Sequence, residues 1–201
     1  KLADDTIVLD FINEKSVVMT QSFSGMLYAL QIYAATVAGD NETKQRLQGV
    51  AEVSARVLSD NERMKSLAEE SEIERFIYLG SSVLNGLAKE ATLKLKEMTQ
   101  VECESYSNLE FRHGPISIVD HKTAIVLLSS DASEQYDRSL VSDLQSHGGK
   151  VVVLAKAGSM VKGDITIPIP SDLPADDIAA AYMPHLQLLA YYKALSLGLN
   201  P

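Results

Sequence analysis

The sequence predicts an α/β protein whose sheet is parallel and covered on both faces. Short apolar, β-branched runs recur along the chain, and longer stretches with helical periodicity separate them. Strand–helix–strand units of that length favour parallel pairing with helices packed above and below. There is also enough apolar material for a packed core, with 46% hydrophobic residues against 22% charged.

Taken in order, the first strand-length run is Thr6–Leu9, followed by a helical pattern over Ser22–Ala38. Two charged helices follow at Glu42–Leu58 and Glu62–Glu70, punctuated by Asn41, Asp60 and Asn61. Between Asp40 and Glu72 there is no strand signal, so this stretch reads as a helical connector. The alternation resumes with a strand at Arg75–Leu79, a helix at Ser81–Gln100 and a strand-forming stretch at Val101–Tyr106. Strands then follow at Thr123–Leu128 and Lys150–Leu154, with a weaker run at Asp164–Ile169. Helices are expected at Glu134–Ser146 and Asp176–Leu197. Ser133 with Glu134 and Gln135 marks the start of the former, and His147-Gly148-Gly149 its stop. The organisation is therefore a truncated α/β piece over 1–38, a connector over 39–72 and a complete α/β unit over 73–201. The chain opens on Lys1 rather than Met, and it is expected to be processed or a fragment.

Charge and composition exclude several classes. A net charge of −9, from 27 acidic and 18 basic residues, argues against a broad nucleic-acid surface. No apolar run approaches the ~20 residues of a membrane helix. The single cysteine, Cys103, cannot form an internal disulfide, so a reducing, cytoplasmic setting is expected. There is no Walker loop, no GxGxxG and no GxSxG elbow. Four scattered histidines give no zinc spacing, so neither metal nor cofactor is expected.

The helix ending near Gln100 carries the most chemical-looking face. On a wheel of about 100° per residue with Leu87 at zero, Leu84, Ala91, Leu95 and Met98 form a stripe between about 0° and 80°. Lys89 and Lys96 fall opposite. Lys94 falls at about −20°, with Glu90 and Glu97 at about −60° to −80°, on the margin of the buried stripe. Lys94 and Glu97 are neighbours three apart. A carboxylate there can serve as a base whose pKa burial raises, with the ammonium holding a ligand. The same pattern also fits an intrahelical salt bridge at a core margin.

Downstream, Arg112-His113-Gly114-Pro115 reads as a rigid turn that presents a histidine beside an arginine. It suits acid–base work or anion contact, and equally a plain surface turn. His121 opens a strand, His147 sits in a helix stop, and His185 lies on an apolar helix as an interior residue. Small hydroxyl residues close two strands, Gly80-Ser81-Ser82 and Ser129-Ser130-Asp131-Ala132-Ser133. Loops of this kind bind anions on free amides, although serine is also an ordinary helix cap. Thr20-Gln21-Ser22 before the first helix carries the same ambiguity.

Taken together, Glu90-Ala91-Thr92-Leu93-Lys94-Leu95-Lys96-Glu97, Glu104-Ser105-Tyr106 and Glu110-Phe111-Arg112-His113-Gly114-Pro115 resemble a known family. They are similar to the second sugar isomerase (SIS) domain of the glucosamine-6-phosphate synthase isomerase module, and more closely to stand-alone phosphosugar isomerases and amino-sugar-phosphate deaminases. Glu14-Lys15-Ser16-Val17-Val18-Met19-Thr20-Gln21 resembles the stretch closing the first SIS domain. Leu186–Ala194 resembles the last long helix.

The resemblance implies Rossmann-like, flavodoxin-like units, three layers deep, assembled as a homodimer or higher homo-oligomer. It makes residues 1–38 the end of a first SIS domain and 73–201 a second. It implies a sugar-phosphate substrate, with Glu97 moving a proton between C1 and C2 and Lys94 supporting the enediol oxygens. His113, donated across the dimer, helps open the ring. Glu90, Gly80, Ser81, Ser82, Arg112, Val17 and Thr20 are the expected substrate contacts. Isomerase and deaminase or deglycase outcomes both follow from one enediol-type intermediate. A sugar-phosphate sensor or a non-catalytic fragment is the alternative outside enzymes. The family's main phosphate loop belongs to the first domain, most of which these 201 residues do not contain. Arg112 stands where the synthase branch has lysine.

Overall fold

The computed structural model describes residues 3–59 and 61–201; Asp60, read above as punctuation, lies outside them. Five strands form one sheet: β1 Arg75–Gly80, β2 Glu102–Tyr106, β3 Thr123–Leu128, β4 Lys150–Lys156 and β5 Ile165–Ile169, in the spatial order β2-β1-β3-β4-β5. Every neighbouring pair is parallel, with Phe76 opposite Cys103 and Ala124, and Val126 opposite Val152. The interior strands are buried almost end to end, and parallel strands sandwiched between helices read in sequence as unbroken apolar runs for that reason.

Side-chain alternation divides the core. Phe76, Tyr78, Ala124, Val126, Leu128, Val152 and Leu154 face one side. There they meet α3 (Val50–Ser59), α4 (Glu62–Glu69), α5 (Val83–Thr99) and α8 (Ala179–Ser196). Ile77, Leu79, Ile125, Leu127, Val151 and Val153 face the other, against Phe111 and the Leu140, Val141 and Leu144 stripe of α7 (Glu134–Ser146). The stretch read as a connector is part of this core, because Val50, Val53, Val57, Met64 and Leu67 are buried in the first cluster. At its margin lie α1 (Gln21–Val37) and α2 (Asn41–Leu47), which contribute Ala35 and Leu47 to the same cluster. Among the described residues no helix is long and apolar enough to cross a membrane.

Several expectations are corrected. Thr6–Leu9 forms no strand: it pairs with neither sheet edge, and Val8 is 74% exposed. An apolar run without a ladder partner has no means of pairing its backbone, so it stays irregular. The helix expected over Glu42–Leu58 is two helices, broken at Gln48-Gly49, where the poor helix former glycine sits. α5 starts at Val83 and α8 at Ala179, each later than expected. His121 lies in the turn before β3, which begins at Thr123.

At the start of α1, Glu14 does what no adjacent capping residue does. Its carboxylate accepts the Thr20 and Ser22 amides at 2.9 and 2.8 Å and the Thr20 hydroxyl at 3.0 Å. The Ser22 amide foremost, with those other bonds, holds its carboxyl below the usual range despite partial burial. A depressed folded-state pKa adds stability above the unfolded pKa, and that stability disappears as pH falls through the folded value. Glu14→Ala is expected to cost about 1 kcal/mol, the scale of a lost cap. The difference from wild type in urea midpoint should shrink in acid; a pH-independent difference would contradict the capping role.

Candidate active site

Helix α5 runs from the carboxyl end of β1 back to the start of β2, so its last turns lie at the amino edge of the sheet. Leu84, Leu87, Ala91 and Leu95 are buried against the sheet, as the wheel requires, and Lys94 is buried with them at 1% exposure. Its Nζ lies 2.6 Å from Glu97 Oε2 and 3.3 Å from Glu90 Oε1. One ammonium therefore sits between two carboxylates, one turn to either side.

The two carboxylates differ. The Glu90 side chain is 12% exposed and that of Glu97 33%. Burial pushes the Glu90 carboxyl above its ordinary value, against the pull of Lys94. Glu97 stays open to an incoming molecule while anchored by a charge that cannot move away. An accessible carboxylate, a dry ammonium beside it and a second buried carboxyl suit proton abstraction next to a carbonyl.

The remaining candidates lie elsewhere. Gly80, Ser81 and Ser82 are at the other end of α5, and 15 residues at about 1.5 Å each put Ser82 about 22 Å from Glu97. A Cβ on Gly80 would lie 2.3 Å from the Leu84 carbonyl, so only glycine lets strand and helix meet there. Ser82 is held at φ 54° and ψ −130°, a conformation that side chains resist. Strain of about 1–3 kcal/mol is usual there, against about 1 kcal/mol for the freedom glycine brings to the unfolded chain. Ser82→Gly is therefore expected to raise stability by about 1 kcal/mol, read as a higher urea midpoint. A lower midpoint would contradict the strain.

The hydroxyls of the second loop are used internally. Ser129 and Ser133 each donate to Asp137 Oδ2 at 2.6 Å, and Asn108 Nδ2 donates to Oδ1 at 2.7 Å. Asp137 is fully buried, and burial raises its carboxyl against those three hydrogen bonds. Sequence reasoning missed this centre; the Ser133/Asp137 spacing of one helical turn was its available signal. Thr20 is likewise engaged by Glu14, and the Val17 side chain is 94% exposed. A cavity of about 440 Å³ lies beside Thr20, between α1, α3 and α8, but no charged side chain lines it.

Arg112 and His113 are exposed and follow the short helix α6 (Asn108–Phe111) beyond the carboxyl end of β2. Arg112 reaches α7, donating to the Ser139 hydroxyl at 3.1 Å and pairing with Asp143. His113 thus belongs to the α7 face and the carboxyl edge, whereas Glu97 belongs to the opposite face and the amino edge. The structure brings together Glu90, Lys94 and Glu97, and leaves His113 of the same chain apart from them.

This fold and this helix define a class. The SIS domain family model matches residues 71–196, from the end of α4 through α8, and the chain belongs to that family. It is 34% identical over 94% of its length to the isomerizing glutamine–fructose-6-phosphate aminotransferase of Sulfolobus acidocaldarius. It is 32% identical over its whole length to the D-galactosamine-6-phosphate deaminase of Shewanella sp. strain ANA-3. It covers 31% and 48% of those two proteins, half their length or less. Among solved structures, the C-terminal domain of glucosamine-fructose-6-phosphate aminotransferase from Francisella tularensis superposes with TM-score 0.84 at 25% identity. That match covers 92% of this chain and 56% of the other. Tagatose-6-phosphate ketose/aldose isomerase from Escherichia coli gives 0.78 at 27%, covering 90% and 51%.

Proposed function

We propose that the protein carrying this chain is an aldose–ketose isomerase of a hexose or amino-hexose 6-phosphate. The observation that carries the reading is Lys94, buried between Glu90 and Glu97 on one face of α5. Glu97 removes the proton from one of C1 and C2 of the open-chain sugar and returns it to the other. Lys94 stabilises the negative charge that develops on oxygen, and Glu90 holds Lys94 in place. His113 acts on the ring oxygen from a second copy of the chain, since within one chain it stands on the wrong face. The assembly is a homodimer or a higher oligomer, and the setting is cytoplasmic. An interface is supported by α1, which carries no charged residue and exposes Met26, Leu30, Tyr33 and Val37.

A second outcome, loss of the amine from an amino-sugar phosphate, uses the same base and is favoured by the likeness to the Shewanella deaminase. The test is proton NMR in deuterated water with fructose 6-phosphate and glucosamine 6-phosphate. Exchange at C1 or C2 with interconversion of aldose and ketose supports the isomerase, and exchange with ammonia release supports the deaminase. A sugar phosphate that binds without exchange contradicts both.

A further inference from the structure

We infer that Lys193 is a carbonyl-reactive amine that forms an imine with small uncharged aldehydes entering a cleft at the amino edge of the sheet. Among the described residues, burial removes two lysines almost wholly from water, Lys94 and Lys193, at 1% and 4% exposure. Their surroundings are opposite. Lys94 is clamped by two carboxylates, whereas the Lys193 ammonium makes one long hydrogen bond, 3.3 Å to the Glu70 carbonyl, and forms no ion pair among the described residues. It also lies 5.7 Å from the centre of the Phe76 ring. The carboxylate of that same residue, Glu70, is paired with Lys150 instead. Burial, only partly offset by the Glu70 charge, lowers the Lys193 pKa from its usual value. A buried ammonium without a counter-ion is costly, and the neutral amine relieves that cost.

Lys193 lines a cleft of about 340 Å³ with Ile73, Val101, Ser71, Glu69 and Glu74. Glu74 is paired with Lys122, which leaves Glu69 as the rim carboxylate able to exchange a proton. Ile73, Val101 and Leu197 beside an amine without a counter-ion, under an acidic rim, suit a small uncharged carbonyl compound and repel phosphorylated ones. The step balances without any oxidant. Nζ adds its lone pair to the carbonyl carbon, the C=O pair collapses onto oxygen, protons pass from nitrogen to that oxygen, and water leaves as C=N forms.

The experiment treats the intact protein with glycolaldehyde and cyanoborohydride near neutral pH and maps modified lysines by peptide mass spectrometry over time. Lys193 is expected to be modified first, at least about tenfold faster than the median surface lysine, as for an amine activated by desolvation. Lys193→Met, which fits an apolar site, should fold and lose only the fast phase. Lys193 unmodified while surface lysines react, or a fast phase that survives in Lys193→Met, would overturn the assignment.

Discussion

Glu97→Gln is expected to abolish exchange of solvent deuterium into C1 and C2 while leaving sugar-phosphate affinity within about threefold. A positioned general base is worth about 100- to 10,000-fold, so exchange should fall by at least the lower figure. The amide keeps the size and the hydrogen-bonding outline of the carboxylate. Lys94 keeps a neutral oxygen to bind, and the folded state loses little because Glu90 still balances the ammonium. That separates a chemical role from a structural one. If Glu97 only pinned α5, the substitution would move stability and spare turnover. Exchange at the wild-type rate would remove Glu97 from the reaction.

The second large effect belongs to Lys94→Met, and it is chiefly thermodynamic. Methionine fills the volume but leaves Glu90, with its side chain 12% exposed, beside Glu97 and without a cation. Removing one member of a buried ion pair costs about 3 kcal/mol. For a chain of this size, that is a fall of about 6–12 °C in Tm. Glu90 should then titrate higher still, so the variant should regain stability as pH falls and the carboxyl takes up a proton. Adding Glu90→Gln to Lys94→Met should return most of the loss at neutral pH. If the double variant is as unstable as the single, the ammonium is packed for its shape and not for its charge. Both variants should lack exchange activity, because neither can hold a developing oxyanion.

The parts of this molecule that were legible in its sequence share a physical property: their signal is local. β1, β3 and β4 announce themselves because both faces of each strand are buried, so the residues between their ends are almost all apolar. The α5 wheel set Lys94 beside Glu97 because a helix fixes which residues are neighbours, whatever surrounds it. It did not show that Lys94 would be more buried than Met98, since that depends on what packs against the helix. Features set by partners distant in sequence were illegible. Thr6–Leu9 has strand composition but no strand to pair with. Glu14 reaches six and eight residues ahead across a loop that no capping-box spacing describes. The serines after β3 carry the signature of an anion loop, yet the Ser129 and Ser133 hydroxyls are committed to Asp137. The separation of His113 from Glu97 also lies beyond any local pattern, because it follows from which face of the sheet each connecting segment crosses.

Two places in this fold compete as the home of a sugar phosphate: the α5 face and the carboxyl edge, where Gly80–Ser82 and Ser129–Ser133 meet at the point where strand order reverses. The crevice at such a switch point of a parallel sheet favours the second, and the buried charge cluster favours the first. The most direct measurement is a crystal structure of the assembled protein with fructose 6-phosphate bound. The C1–C2 bond is expected within hydrogen-bonding reach of Glu97, with an oxygen on Lys94 and His113 of a second copy near the ring. A sugar seated on the Ser81–Ser82 loop, about 22 Å along α5 from Glu97, would contradict it.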